Sequence, residues 1–478
     1  IQVSGFTLFL RFIFLSEVYP MEQHKNINKM GTIPVQRLML SMGVPMIFSM
    51  MLQAFYNIVD SAFVSNMAQH GEAALTALTL AFPVQMLLVA FSVGTGVGAN
   101  ALLSRTLGEG NREKVNRVAG NAEFLSLVIC IISIAFGLVG VRAYVQSQSN
   151  NTLVIDMAIS YLRICCCIPF GMVFFSCFEK LLQATGKSLF STIAQVSGAV
   201  ANIILDPILI YGLFGCPALG VRGAAYATVI GQIVSCIVAL FFHLTINKEI
   251  TNSLRYIKPS KRLIRQIYTI GLPAIIAQAL MSVMTYGLNL IFGAVSENAV
   301  TAYGLYYKIQ QFLLFAAFGL RDAITPIVSF NYGMRDKQRV NLGIKYGMLY
   351  TLVIMLVGTV LLELFASPLA HVFGLSGETE QLCVSAIRII SLSLVFAGIN
   401  VAGQGVFQAL RSGIESLVIS LCRQLIFVLP VAWLFARIGL RIHMPSLIWC
   451  TFLLAETISA ALFCVLMRRI RRSKIACI

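Results

Sequence analysis

Residues 43–66, GVPMIFSMMLQAFYNIVDSAFVSN, form a run of membrane-spanning length with one ionisable side chain, Asp60. A bilayer core is crossed by about 20 consecutive apolar residues in helical form. A carboxylate held at that depth costs roughly 2.5–3.5 kcal/mol on insertion scales, which makes Asp60 a candidate functional residue. Gln53, Asn57 and Asp60 fall at i, i+4 and i+7 and so share one helix face. Gln53, Tyr56 and Asn57 are taken as residues of a substrate cavity. The structural alternative for Asp60 is a carboxylate that snorkels to the outer interface or is satisfied by a neighbouring helix. Pro45 predicts a kink near the start of the run.

The composition around this stretch is that of a membrane protein. Of 478 residues, 58% are hydrophobic and 11% charged, with a mean hydropathy of +0.84. Soluble domains carry about 25% charged residues. The net charge of +16 does not indicate nucleic acid, because the basic residues sit in short loops between apolar segments, as the positive-inside rule requires. The 12 cysteines lie mostly inside apolar segments without C-x2-C spacing, so they read as small buried side chains. Residues 1–20 are too short an apolar run to span and have no small-residue cleavage site. They read as an upstream extension, with Met21 or Met30 as the start.

Apolar segments of spanning length recur about twelve times, at 36–64, 75–105, 118–141, 154–183, 189–214, 219–244, 263–294, 300–330, 342–366, 381–410, 415–438 and 444–467. Loops on one side carry Lys25, Lys29, Arg37, Arg105, Arg112, Lys114, Arg117, Lys187, the Lys248–Arg265 group, Arg335, Lys337, Arg339 and Lys345. The tail beyond Arg468 is also basic. The other side holds only Arg142, Arg222, Arg437 and Arg441. Both termini are therefore expected in the cytoplasm, with the chain in the plasma membrane.

An internal repeat organises these segments. Shifted by 225 residues, Ala74–Asn116 lies over Ala299–Asn341 without a gap, and ALTALTLAFPVQ (74–85) meets AVTAYGLYYKIQ (299–310). Gly94 falls on Gly319, Ser104 on Ser329, Gly108 on Gly333, and Gln183-Ala184 on Gln408-Ala409. Gly43-Val44-Pro45 matches Gly271-Leu272-Pro273 at a slightly different offset. A unit with an even number of spans returns to its starting side, so the two copies are parallel. Such repeats favour a transporter whose path lies between two lobes. The expected division is a cytoplasmic tail over 1–35, a first lobe over 36–244, a linker over 245–262, a second lobe over 263–467 and a basic tail over 468–478.

Two motifs of soluble nucleotide enzymes fail on context. Gly94-Thr95-Gly96-Val97-Gly98 sits inside an apolar helix, where small residues serve close packing. Gly186-Lys187-Ser188 ends like a phosphate loop, but Leu181 stands where the first glycine belongs. No nucleotide-binding domain is present in the sequence, so transport uses an ion gradient or runs passively.

The two halves differ in their acids. Asn202 and Asp206 share a face of the fifth span, which runs in the same direction as the first, so Asp206 and Asp60 can meet at one depth. Thr228 of the sixth span adds an oxygen. Repeat-equivalent positions in the second half fall near Leu288 and Leu429. Two adjacent carboxylates let one carry a proton, or share a Na⁺ with Asn and Thr oxygens. Asp206-Pro207 is expected to interrupt its helix and expose carbonyls. Other intramembrane charges rank lower. Glu179 and Lys180 are read as snorkelling, Arg321-Asp322 as a local pair and Glu456 as single. Asn400 and Gln404 give the tenth span a polar face and are assigned to the substrate cavity.

Several patches together resemble a known family: KMGTIPVQRLMLSMGVPMIFSMMLQAFYNIVDSAFVS (29–65), LGEGN (107–111), NYGMRD (331–336), QATGKS (183–188), NIILDPILIYG (202–212) and GVRGAAYAT (220–228). Their order and spacing are similar to those of the bacterial multidrug and toxic compound extrusion (MATE) transporters, from about Lys29 to the tail. The resemblance implies an all-α membrane protein of twelve transmembrane helices in two six-helix lobes forming a V. It implies antiport that expels organic cations and amphipathic drugs in exchange for H⁺ or Na⁺, with no enzyme activity and no cofactor beyond the coupling ion. The family's first-lobe ion site maps onto Asp60, Asn202 and Asp206, with Thr228 a looser match. Some members use acids in the seventh and tenth spans. Here the seventh has Gln278 and Met281, and the tenth has Asn400 where the acid stands. The expected partners are a small cationic or amphipathic substrate and the lipid bilayer, with no nucleic acid, and the expected state is a monomer. The alternative activity is a flippase for a lipid-linked precursor, for which Arg163, Arg321 and Arg388 would form a cationic cavity. A passive channel or membrane-embedded enzyme lacks a pore loop and a catalytic constellation.

Overall fold

The computed structural model describes residues 28–67, 71–372 and 377–478. The 1–20 extension and most of the expected 1–35 tail lie outside the described residues. Every regular element among the described residues is helical. Among the described residues ten helices are long and apolar enough to span a bilayer, up to 12 spans with each of two bent helix pairs taken as one.

The bent pairs are the fourth and tenth spans, which the sequence presents as single runs. Thr152–Cys167 and Phe170–Ala184 meet at 46°. The break falls at Ile168-Pro169, because a residue before proline is pushed out of the helical region, and Ile168 takes φ −120° and ψ 57°. In the tenth span Thr379–Ser391 and Leu394–Ala409 meet at 51°, where the Ser393 hydroxyl bonds back to the Ile390 carbonyl at 2.7 Å. The opposite correction applies to Pro207. The fifth span runs unbroken from Ser188 to Tyr211 through that proline, so no carbonyls are exposed by an interruption. The first span, Val35–Ser65, is likewise continuous through Pro45.

Outer faces carry the exposed apolar side chains, among them Ile132, Leu138, Val139, Leu356 and Leu364, as lipid contact requires. Two spans tie the halves together. The start of the first span (Val35, Leu38, Met39, Met42, Met46) is buried in a cluster with Ala323, Ile327, Val406 and Phe463 of the second half. Its far end, at Val64, is buried with Ala77, Tyr161 and Ile210 of the first half. The seventh span, Lys261–Gly293, mirrors this. Leu263 and Ile267 pack with Leu102 and Leu181 of the first half, whereas Leu288 and Phe292 belong to the second-half core.

The Gly-x-Gly-x-Gly run of the second span is one of these crossings. A Cβ on Gly94 would lie 2.9 Å from the Ile275 nitrogen, and one on its repeat-mate Gly319 would lie 2.6 Å from the Ile47 nitrogen. The repeat extends to individual hydrogen bonds. Ser104 Oγ donates to the Ala184 carbonyl at 2.9 Å and Ser329 Oγ to the Ala409 carbonyl at 3.2 Å. Asn111 accepts from the Lys114 amide at 3.0 Å, and Asp336 from the Arg339 amide at 2.9 Å.

The segment between the halves is tied down by the third span. Asn116 accepts from the Thr251 amide and Asn121 from the Ser260 amide, each at 2.8 Å.

Candidate functional site

The first span places Asp60, and the fifth places Asn202 and Asp206 one helical turn apart on its buried face. Asn202 Nδ2 donates to Asp206 Oδ1 at 3.3 Å. Asp60 lies within electrostatic reach of Asp206, Tyr56, Tyr161 and Cys165. Asp206 is fully buried, and Asp60 Oδ1, Asp206 Oδ2 and Asn202 Oδ1 are buried atoms with no hydrogen-bond partner. Among the described residues no salt bridge reaches either carboxylate. Tyr161 accepts from Gln85 at 3.1 Å, and Thr228 lies on the neighbouring sixth span. Three unpartnered acceptor oxygens around two acids suit a small cation or a proton, since burying an unpaired polar group is otherwise costly. The equivalent place in the second half is apolar, with Leu288 and Leu429 in one hydrophobic cluster.

The residues assigned to the substrate cavity separate into two groups. Gln53 and Tyr56 lie on the first span near the acids, with Gln53 accepting from Gln195 at 3.4 Å. The side chain of Asn57 lies outside the described ones. Asn400 and Gln404 lie in the second half and are buried.

Three charges read as isolated or snorkelling are paired instead. Glu456 is held by Arg423, with Nη2 at 2.6 Å and Nε at 3.0 Å from Oε1, and its Oε2 accepts from Asn400 Nδ2 at 2.7 Å. Glu179 and Lys180 do not snorkel. Lys180 is 1% exposed and binds Asp322 Oδ2 at 2.7 Å and Gln183 Oε1 at 3.1 Å, and Gln183 in turn donates to Glu179 at 2.9 Å. Arg321 and Asp322 do form the expected local pair, at 2.8 Å. Arg423 is the charge that sequence reasoning missed. It lies in the middle of the eleventh span beside Gln424, and a charge at that depth was the available signal.

Comparison with known proteins agrees with this architecture. The MatE family model matches residues 45–208 and again 273–434. The chain is 26% identical over 423 residues to "Multidrug export protein MepA" of Staphylococcus saprophyticus, covering 88% of this chain and 91% of that protein. It is 26% identical over 431 residues to the protein of that name from Staphylococcus haemolyticus, covering 89% and 92%. Among solved structures it is similar to the "Outward-facing conformation of a multidrug resistance MATE family transporter of the MOP superfamily", with a TM-score of 0.87 at 25% identity, covering 96% of this chain and 100% of that one. With a duplicated family match across most of twelve spans, the chain belongs to the MatE family of membrane transporters.

Proposed function

We propose that this protein is a secondary active antiporter that exports organic cations and amphipathic drugs in exchange for H⁺ or Na⁺, by alternating access between two lobes. The observation that carries the reading is the buried pair Asp60 and Asp206, with acceptor oxygens unpartnered and, among the described residues, no salt bridge to either carboxylate. A buried acid pair without a counter-charge favours taking up an external one. Binding an ion there and binding substrate then bias the same two-state equilibrium in opposite directions. The similarity to proteins named as multidrug exporters supports the substrate class.

In this reading the lobes are residues 36–244 and 263–467, joined by the linker 245–262. The protein is a monomer in the plasma membrane with both termini cytoplasmic. Asp60 and Asp206 hold the ion, Asn202 orients Asp206, and Thr228 supplies a further oxygen. Gln53 and Tyr56 are assigned to substrate binding beside the ion site. The flippase alternative is disfavoured because Arg163 and Arg388 are exposed and Arg321 is committed to Asp322.

The test is ethidium export from vesicles under separately imposed H⁺ and Na⁺ gradients. Export should follow one of the two gradients and vanish in Asp60→Asn and Asp206→Asn. Undiminished gradient dependence in Asp60→Asn would sink the ion-site assignment. Absence of export of any cation by folded wild type would move the function to the flippase.

A further inference from the structure

The two acids stand at one end of a polar seam that continues between their spans. On the fifth span Ser188, Thr192, Gln195, Asn202 and Asp206 fall at i, i+4, i+7, i+14 and i+18, which is one helix face, and all five are buried. The same helix turns Ile193, Val200 and Ile204 outward. On the first span Ser49, Gln53, Tyr56 and Asp60 fall at i, i+4, i+7 and i+11. Ser49 and Gln195 are 146 residues apart, and the same separation relates Tyr56 to Asn202 and Asp60 to Asp206. The two rods therefore run parallel and in register, polar face to polar face. Ser49 Oγ donates to Gln195 Oε1 at 2.8 Å, and Gln195 Nε2 donates to Gln53 Oε1 at 3.4 Å. One turn nearer the start of the fifth span, Thr192 is buried and its Oγ1 has no hydrogen-bond partner. From Ser188 to Asp206 the seam covers about 27 Å of helix, most of a hydrocarbon core of about 30 Å.

Holding two spans together does not require such a seam. At the offset that sets Gly43 on Gly271, the four first-span residues fall on Ala277, Met281, Met284 and Leu288. There Met284 and Leu288 pack in one apolar cluster with Val428 and Leu429 of the eleventh span. The second half, which lacks the acid pair, therefore makes the same contact with apolar side chains. Polar groups at membrane depth are costly and mark the paths of ions.

We propose that the seam is the passage by which the coupling ion leaves Asp60 and Asp206 for the Ser188 end, cytoplasmic in the proposed orientation, and that Gln195 is its gate. Bonded to Ser49 and Gln53 at once, the Gln195 amide closes the seam in this conformation. Release of those two bonds frees a file of oxygens, from Gln53, Ser49, Gln195, Thr192 and Ser188. Such a file suits a hard cation such as Na⁺, which takes oxygen ligands, or waters that carry H⁺. The proposal rests on the antiport reading and adds to it a route and a gate.

The test is ion movement in vesicles holding the purified full chain, with and without ethidium. A trapped pH dye reads it under a H⁺ gradient and a trapped Na⁺ dye under a Na⁺ gradient. In wild type ethidium should evoke movement of one of the two ions. Gln195→Leu fills the seam with an apolar group. It should lower the maximal rate of that movement at least tenfold, while the half-saturating ethidium concentration changes less than twofold. Gln195→Ala loses the same two hydrogen bonds but leaves a gap, and should instead raise ion movement without ethidium at least threefold. A purely structural Gln195 would slow both variants in step with their thermal midpoints, Ala more than Leu, and that order would overturn the proposal. Should Gln195→Leu not fold, Thr192→Val keeps the shape and removes only the unpartnered hydroxyl. It should lower the rate at least threefold, and an unchanged rate would overturn the proposal. Wild type in which ethidium moves neither ion overturns the antiport and the passage together. Ethidium-evoked ion movement that persists at the wild-type rate in Gln195→Leu overturns the passage alone.

Discussion

The Lys180 ammonium lies 2.7 Å from the Asp322 carboxylate, and this ion pair joins the fourth span of one half to the eighth span of the other. Both side chains are buried, and Arg321 holds the second oxygen of the same carboxylate at 2.8 Å. The arrangement of halves seen here has an ionic contact at its centre, and Lys180 would be left buried without that carboxylate if the halves parted.

Asp322→Asn removes the carboxylate charge while keeping the shape, leaving two cations facing a neutral amide. Breaking a buried pair from one side costs about 3–5 kcal/mol. The expected outcome is a lower thermal midpoint in detergent. The pair Lys180→Met/Asp322→Leu should recover only the part of that loss that comes from the stranded Lys180, because Arg321 and Glu179 each lose a partner in it. Equal midpoints for wild type and Asp322→Asn would show that the contact is not stabilising.

Asn202 reports on the acid cluster without carrying charge. Asn202→Leu takes away the amide that donates to Asp206 at 3.3 Å. A hydrogen bond to a charged group contributes about 1.5–3 kcal/mol, roughly a tenfold effect or more. Gradient-driven export should fall by that order but persist, whereas Asp206→Asn should abolish it. Rates measured in one vesicle preparation distinguish the two.

The repeat makes a paired prediction. Ser104→Ala and Ser329→Ala each remove one hydroxyl that donates to a carbonyl at the same place in its half. Each should cost about 0.5–1.5 kcal/mol, the two costs should agree, and the double variant should be additive because the sites share no partner. Denaturant titration of the three variants checks it.

Glu109 gives a pH signature outside the membrane. Burial acts to raise its pKa, but hydrogen bonds and charges from Lys114 and Arg105 outweigh it and hold the carboxyl below its ordinary 4.5. A depressed pKa contributes stability that is complete above the ordinary value and disappears as pH falls through the folded one. Glu109→Gln should therefore show a constant stability deficit from neutral pH down to about pH 5, by the linkage of ionisation to folding. That deficit should shrink below the ordinary value of 4.5. A thermal-shift series against pH reads it directly.

The twelve spans, the repeat and the Asp60 candidate were legible in the sequence because a bilayer permits few solutions. Long apolar runs span, and a lone acid within one stands out. The breaks in the fourth and tenth spans were hidden because hydropathy is blind to a local change of backbone direction. Pro169 pointed to the first break, while the Ser393 bend has no comparable mark. The partners of Glu456 and Lys180 were illegible because each lies on another helix, 33 residues away for Arg423 and 142 for Asp322. Pro207 misled because proline removes one helical hydrogen bond, which a well-packed span tolerates.

The first span begins in the core of one half and ends in that of the other, and the seventh does the reverse. Any swing of the halves must therefore be absorbed within these two rods, since no loop separates their ends. Each has a proline in its interior, Pro45 and Pro273, where the missing N–H leaves the rod easiest to flex. Asp60 is 15 residues beyond Pro45, about 22 Å along a helix. A displacement at the carboxylate acts at the end of a lever whose fulcrum is the proline and whose short arm is planted in the opposite half.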